Sequence, residues 1–127
     1  MRLHHVQVSC PRGGEDVARR FYAAALGMTE VAKPPDLASR GGVWFRDGSC
    51  EIHVGVEDDF TPARKAHPAL LVDDVDAVAA RVAAGGFAVH WDDAFPGYQR
   101  FYSADGHGNR IEVLSAAGDH VSTQGES

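Results

Sequence analysis

Seven histidines are spread over 127 residues, and three of them, together with one acid, have types and positions suited to holding a metal ion. They are His5 in LHHVQVS, His53 in CEIHVGV, His67 in HPALLV and Glu112 in RIEVL. A β-strand sends consecutive side chains to opposite faces. In the first stretch Val6, Val8 and Cys10 share a phase with His4, so a helix packed on that phase leaves His5, Gln7 and Ser9 facing the other way. Ile52, Val54 and Val56 set His53 apart in the same manner, together with Glu51 and Gly55, and Ile111 and Val113 set Glu112 apart. HPALLV is apolar on both phases, so alternation says nothing about His67.

His67 is placed by a repeat. Each half of the chain has a strand holding a histidine, then a helix stopped by glycine, then strands with an Asp-Gly turn and a final polar residue between aliphatics. FRDGSCEIHV in the first half matches YSADGHGNRIEV in the second, so His5 answers to His67 and His53 to Glu112. The helices are expected over residues 15–26, with Val17, Phe21 and Ala24/Ala25 at helical spacing, and over DDVDAVAARVAAGG, with Val75, Val78 and Val82 on one side. The first strand is expected over residues 3–10, and VAKPPDLASRGG as a broken connection. The fold class is therefore α+β, built from paired βαβββ modules over about 3–56 and 67–115 in one domain of residues 1–115, with 116–127 as a polar tail. A helix covers only one face of each module's sheet, so the second module is expected opposite the first across a cleft.

If His5, His53, His67 and Glu112 converge on that cleft, three neutral imidazoles and a carboxylate suit a borderline divalent ion such as Zn, Ni, Co, Fe or Mn, and suit oxygen-seeking Ca or Mg poorly. An octahedral ion so held keeps two positions for water or substrate, the opening that catalysis needs. His4, His90, His107 and His120 have no counterpart in the repeat and are read as ordinary surface or packing residues.

Composition narrows the setting. A formal charge of −6 argues against a phosphate-backbone partner, since such binding needs clustered Lys and Arg. No apolar run is long enough to span a bilayer and the first residues lack signal-peptide order, so no membrane partner and a cytoplasmic location are expected. Cys10 and Cys50 read as two reduced, buried thiols.

LHHVQV, RRFYAAALGM, HPALLVDDVDAV and GNRIEVL together resemble the vicinal oxygen chelate superfamily, which includes glyoxalase I, bleomycin-resistance and fosfomycin-resistance proteins, methylmalonyl-CoA epimerase and extradiol dioxygenases. The resemblance covers about residues 3–115 and implies paired βαβββ modules in an open, cupped mixed sheet with helices on the outer face. It also implies that His5, His53, His67 and Glu112 are the four metal positions, that Glu112 matches the carboxylate glyoxalases use as a base, and that the chain forms a homodimer. Whether the modules pair within or between chains stays open. Two departures stand out. His53 replaces the Glu usual in bacterial glyoxalase I, making the site more positive by one unit, and the turn before the last strand reads Asp105-Gly106-His107-Gly108-Asn109 in place of Asp-Pro-x-Gly-Asn.

The leading expectation is a divalent-metal lyase or isomerase acting on a small oxygen-rich molecule, with Glu112 as ligand and base. Extradiol oxygenation is second, with two histidines and Glu112 as a facial triad for iron. The rival class is a metal-free protein that sequesters a drug or natural product in a cleft lined by aromatic residues that include Trp44, Phe45, Trp91 and Phe95, with Gln7 in the same pocket. Tyr98, Arg100, Phe101 and Tyr102 complete that expected lining.

Overall fold

Each half of the sequence folds as the same unit in the computed structural model, which describes residues 1–117. The expected tail from residue 118 onward, and His120 with it, lie outside the described residues. The first unit runs β1 (Val6–Cys10), α1 (Glu15–Ala18) continued by a π-helical winding (Arg19–Ala25), β2 (Thr29–Val31), α2 (Pro35–Ala38), β3 (Val43–Asp47) and β4 (Cys50–Val56). The second runs β5 (Ala69–Leu71), α3 (Val75–Ala84), β6 (His90–Asp92), β7 (Tyr98–Ala104) and β8 (Arg110–Ala116). The two four-stranded sheets have equivalent orders, β1-β4-β3-β2 and β5-β8-β7-β6, each with one parallel pair and two antiparallel pairs. This is the paired βαβββ architecture. The short α2 is an addition within the segment expected to be a broken connection, and β1 begins at Val6, so His5 sits just ahead of the strand rather than inside it.

The first helix starts with Glu15 and Asp16 near its positive N-terminal end and then widens. Leu26 N–H bonds to the carbonyl of Phe21, five residues back, at 2.9 Å. Ala18, Phe21, Tyr22 and Ala25 turn inward together from this helix. Helix α3 is capped by Asp74, whose carboxylate accepts from Ala77 N–H at 3.0 Å, and it buries Val75, Val78, Ala79 and Val82.

Both helices belong to one core. Tyr22 stacks on Phe45 of the first sheet at 5.4 Å, Phe21 meets Phe87 of the second unit edge-on at 5.0 Å, and Arg81 of α3 donates to the carbonyls of Ala25 and Leu26. Phe45, Ile52 and Val54 from one sheet and Phe101, Ile111 and Val113 from the other join the same buried cluster. The helix-covered faces of the two sheets therefore contribute to one core. Among the described residues no helix is long and apolar enough to cross a membrane.

A buried polar staple locks the units together. Asp105, fully buried, accepts from Tyr22 Oη at 2.6 Å, from the backbone N–H of His107 and Asn109, and from Asn109 Nδ2. Asn109 Nδ2 also donates to the Ser9 carbonyl at 2.7 Å, tying β8 to β1. Gly106, at φ +88°, allows the turn to close over Val17, where a Cβ would lie 2.6 Å from Val17 Cγ1. Burial first, and then the Asp105 charge, holds the Tyr22 phenol well above its ordinary pKa, so it stays a donor. Tyr22→Phe leaves the buried carboxylate one donor short and is expected to cost about 1–3 kcal/mol in urea unfolding, with an unchanged denaturant slope.

Candidate metal centre

The uncovered face of the first sheet carries a row of rings. The β1–β4 register sets Gln7 beside His53, and the β3–β4 register sets Trp44 on its other side. His53 is 4% exposed because it is sandwiched: the Trp44 indole lies parallel at 3.8 Å and the His5 imidazole at 4.0 Å, tilted by 15°. Nε2 of His53 is 2.6 Å from Oε2 of Glu51, whose other oxygen accepts from Arg46 at 3.1 Å. The His53 hydrogen bond, followed by that of Arg46, holds the Glu51 carboxyl below its usual range. Partial desolvation, and then like-charge repulsion from His53 and His4, keeps His5 below 6.5. His4 is exposed, its Nδ1 within 2.9 Å of Nδ1 of His5.

The second sheet presents the equivalent face with different chemistry. Glu112 of β8 stands between Ala69 of β5 and Tyr102 of β7, and it is 5% exposed. Its Oε1 lies 2.9 Å from Nε2 of His67, and its Oε2 accepts from Arg100 at 3.1 Å. Arg100 also binds Asp92 and lies against the rings of Phe95 and Tyr102 at 5.3 and 5.1 Å. His67 directs Nδ1 at the Lys65 carbonyl, 2.7 Å away.

The structure thus brings the four sequence-identified residues together in two pairs, His5 with His53 and His67 with Glu112. Among the described residues no group of three or more metal-ligating side chains is gathered at one point. The two pairs stand on different sheets, and the cleft that Gln7 and Ser9 share with His67 holds neither His53 nor Glu112.

Each pair can be tested for fit to an ion. In His67 both ring nitrogens face oxygen acceptors, so a neutral ring can satisfy only one with its single proton. With Nδ1–H assigned to Lys65 O, Nε2 is left to accept beside Glu112 Oε1, and a cation bound to both atoms from off the line between them would satisfy the pair, with the Nδ1–H contact to a carbonyl that metal-bound histidines commonly use. His5 and His53 supply borderline nitrogen donors, but lone pairs lie in the ring plane, and two nearly parallel planes 4.0 Å apart do not meet at one ion. As the rings stand, a shared metal does not fit this pair.

The expected ligand-binding surface divides. Gln7 and Trp44 lie on the His53 face, and Tyr98, Arg100 and Tyr102 lie on the Glu112 face with Phe95 against Arg100. Phe101 lies instead in the core with no exposed surface, because its phase is that of Ile111 and Val113. Trp91 is its register partner and packs edge-on to it at 5.5 Å, so Trp91 also faces away from Glu112. Glu51 and Asp92 were not singled out from sequence, although Glu51, two residues before His53, has the alternation that could have marked it.

Among curated protein sequences none matches this chain significantly. Among solved structures, a glyoxalase family protein from Bacillus anthracis is 45% identical, with TM-score 0.88 over 91% of this chain and 95% of that one. Lactoylglutathione lyase from Agrobacterium tumefaciens is 23% identical, with TM-score 0.67 over 90% and 92% of the two chains. TnmS3, an antibiotic binding protein from Streptomyces, is 25% identical, with TM-score 0.67 over 92% and 99%. The family model of the Glyoxalase/Bleomycin resistance protein/Dioxygenase superfamily matches residues 2–113. With that match spanning nearly every described residue, on a fold of two βαβββ units, the chain belongs to the Glyoxalase/Bleomycin resistance protein/Dioxygenase superfamily.

Proposed function

We propose that this protein is a divalent-metal lyase or isomerase acting on a small molecule with neighbouring oxygens, its site completed by a second copy of the chain. The observation that carries the reading is His67, whose Nδ1 is held by Lys65 O while Nε2 is aimed at Glu112. His5 and His53 of one protomer and His67 and Glu112 of the other would hold the ion, because within one chain the two pairs belong to different sheets and no three of these groups are gathered among the described residues. When bound, a Zn, Ni, Co, Fe or Mn ion supplies Lewis acidity toward the substrate oxygens.

The chain's own residues do the rest. Glu112 is the base that takes and returns a proton, and Arg100, holding Oε2, fixes the direction in which the carboxylate presents its other oxygen. Asp92 holds the guanidinium in turn. Glu51 and Arg46 orient His53, and the Trp44 ring excludes water from one side of the imidazole.

A second reading, a binder of a planar drug or natural product, is favoured by the His5–His53–Trp44 stack, which satisfies those rings against each other without an ion. Metal analysis of untagged protein separates the two. The enzyme reading expects one ion bound per site in the dimer, lost in Glu112→Gln, and turnover of a hemithioacetal with Ni or Zn. The binder reading expects folded protein that takes up none of these ions, and catechol cleavage with Fe(II) would point to oxygenation instead.

Sharing of the site between chains gives a mixing experiment. His53→Ala and Glu112→Gln chains, each inactive alone, should recover about a quarter of the intact sites when unfolded and refolded together in equal amounts, since each hybrid dimer carries one site with no substitution. No recovery, with hybrids confirmed by native mass spectrometry, would place the whole site within one chain.

The His5 shift can be read by NMR titration of the metal-free protein. His5 should titrate below 6.5, and Glu51→Gln should move its midpoint lower still, because the Glu51 charge is the one nearby influence that favours the His5 cation. An upward movement would contradict the described geometry.

A further inference from the structure

Beside the imidazole row, on the same sheet, lies a recess of about 210 Å³ that the metal reading leaves unused. Its lining includes Gln7, Lys33, Arg40, Trp44 and Gly55. Gln7 and Gly55 are on the uncovered face with His53, and Trp44 is the register partner of His53. Lys33 and Arg40 come from the segment around α2 that bends over the sheet after β2.

The charge here runs against the rest of the molecule. The chain carries a formal −6, yet this recess has two cations. Among the described residues Arg40 makes no ion pair, and Lys33 uses one donor on the Gly41 carbonyl, leaving two further N–H groups on its ammonium. Glu15, whose carboxylate accepts from the Gly42 N–H at 2.8 Å, makes no ion pair with either cation among the described residues. Gly55 shapes the floor, since a Cβ there would lie 2.6 Å from Gln7 Nε2, in the space where the Gln7 carboxamide lies flat over the strand. That carboxamide makes no side-chain hydrogen bond among the described residues, so its N–H2 is a third free donor at the edge of the recess.

We propose that this recess is the subsite for the carboxylate of a planar organic acid, with Lys33 and Arg40 pairing the oxygens and the Trp44 indole supporting the ring. The inference rests on reading this face as the ligand-binding face and assigns the substrate class. The recess meets the imidazole row at Trp44, whose ring also stacks on His53, so a planar group anchored here is next to the proposed ion site with the indole between them.

The test uses the Trp91→Phe protein, in which Trp44 is the only tryptophan, stripped of metal with a chelator and titrated with benzoate, benzamide and inorganic phosphate while indole fluorescence is followed. Saturable quenching by benzoate is expected, weakened at least about tenfold by Lys33→Gln combined with Arg40→Gln, through loss of charge-assisted hydrogen bonds. Lys33→Arg with Arg40→Lys should retain most of the affinity. Equal binding of benzamide and benzoate, phosphate binding as tight as benzoate, or an unchanged affinity in the double glutamine variant would each overturn the proposal. Metal stoichiometry measured on the same preparations keeps the two readings apart. Benzoate binding without metal uptake sinks only the metal centre, and metal uptake without benzoate binding sinks only this subsite.

Discussion

The interaction on which the rest depends is the contact of the first helix with both sheets at once. Phe21, Tyr22 and Ala25 all turn inward from the π-helical winding, so one side of that helix meets Phe45 while another meets Phe87 and α3. A helix that served only its own sheet would leave each unit with a small core. Sharing it gives a single buried cluster drawn from both sheets, in which each large side chain removed from water contributes about 1.5–3 kcal/mol. The Asp105 staple sits at the same junction and makes the contact specific, because a buried carboxylate tolerates only an arrangement that brings its donors with it.

That arrangement fixes where chemistry can take place. With the helix sides spent on the core, the uncovered faces of the two sheets carry rings and charges in register. On one, His53 is held between parallel rings and tied to Glu51. On the other, Glu112 is held between His67 and Arg100. Each face carries one pair of the candidate ligands. The two halves differ in kind: the first is rich in imidazole and indole, with spare cations nearby, while the second centres on a carboxylate whose oxygens are already oriented.

Much of this was legible before any coordinates. Alternation placed His53 and Glu112 on the uncovered faces because their neighbours Ile52, Val54, Ile111 and Val113 are strongly apolar, and all four are buried where that pattern demands. The repeat placed His67, on which alternation was silent. Aromatic residues were harder. Phe101 and Trp91 looked like cleft lining because a large ring serves a core or a ligand equally well, and only their register with Ile111 and Val113 decided that they face the other way. Glu51 was missed as a partner of His53 because residues two apart on a strand share a face without necessarily touching, and contact depends on side-chain rotamers.

The sequence by itself determined the two βαβββ units, the phase of every strand with a clear aliphatic pattern, and the four residues facing away from the helices. These follow from short-range periodicity, which is written directly into neighbouring residues. Only the tertiary structure decided that the two helix sides share one core, that the candidate ligands meet in pairs, and that Lys33, Arg40 and Trp44 line one recess. Such facts depend on contacts between residues far apart in the chain, and no local pattern encodes the direction in which one finished unit is turned against another.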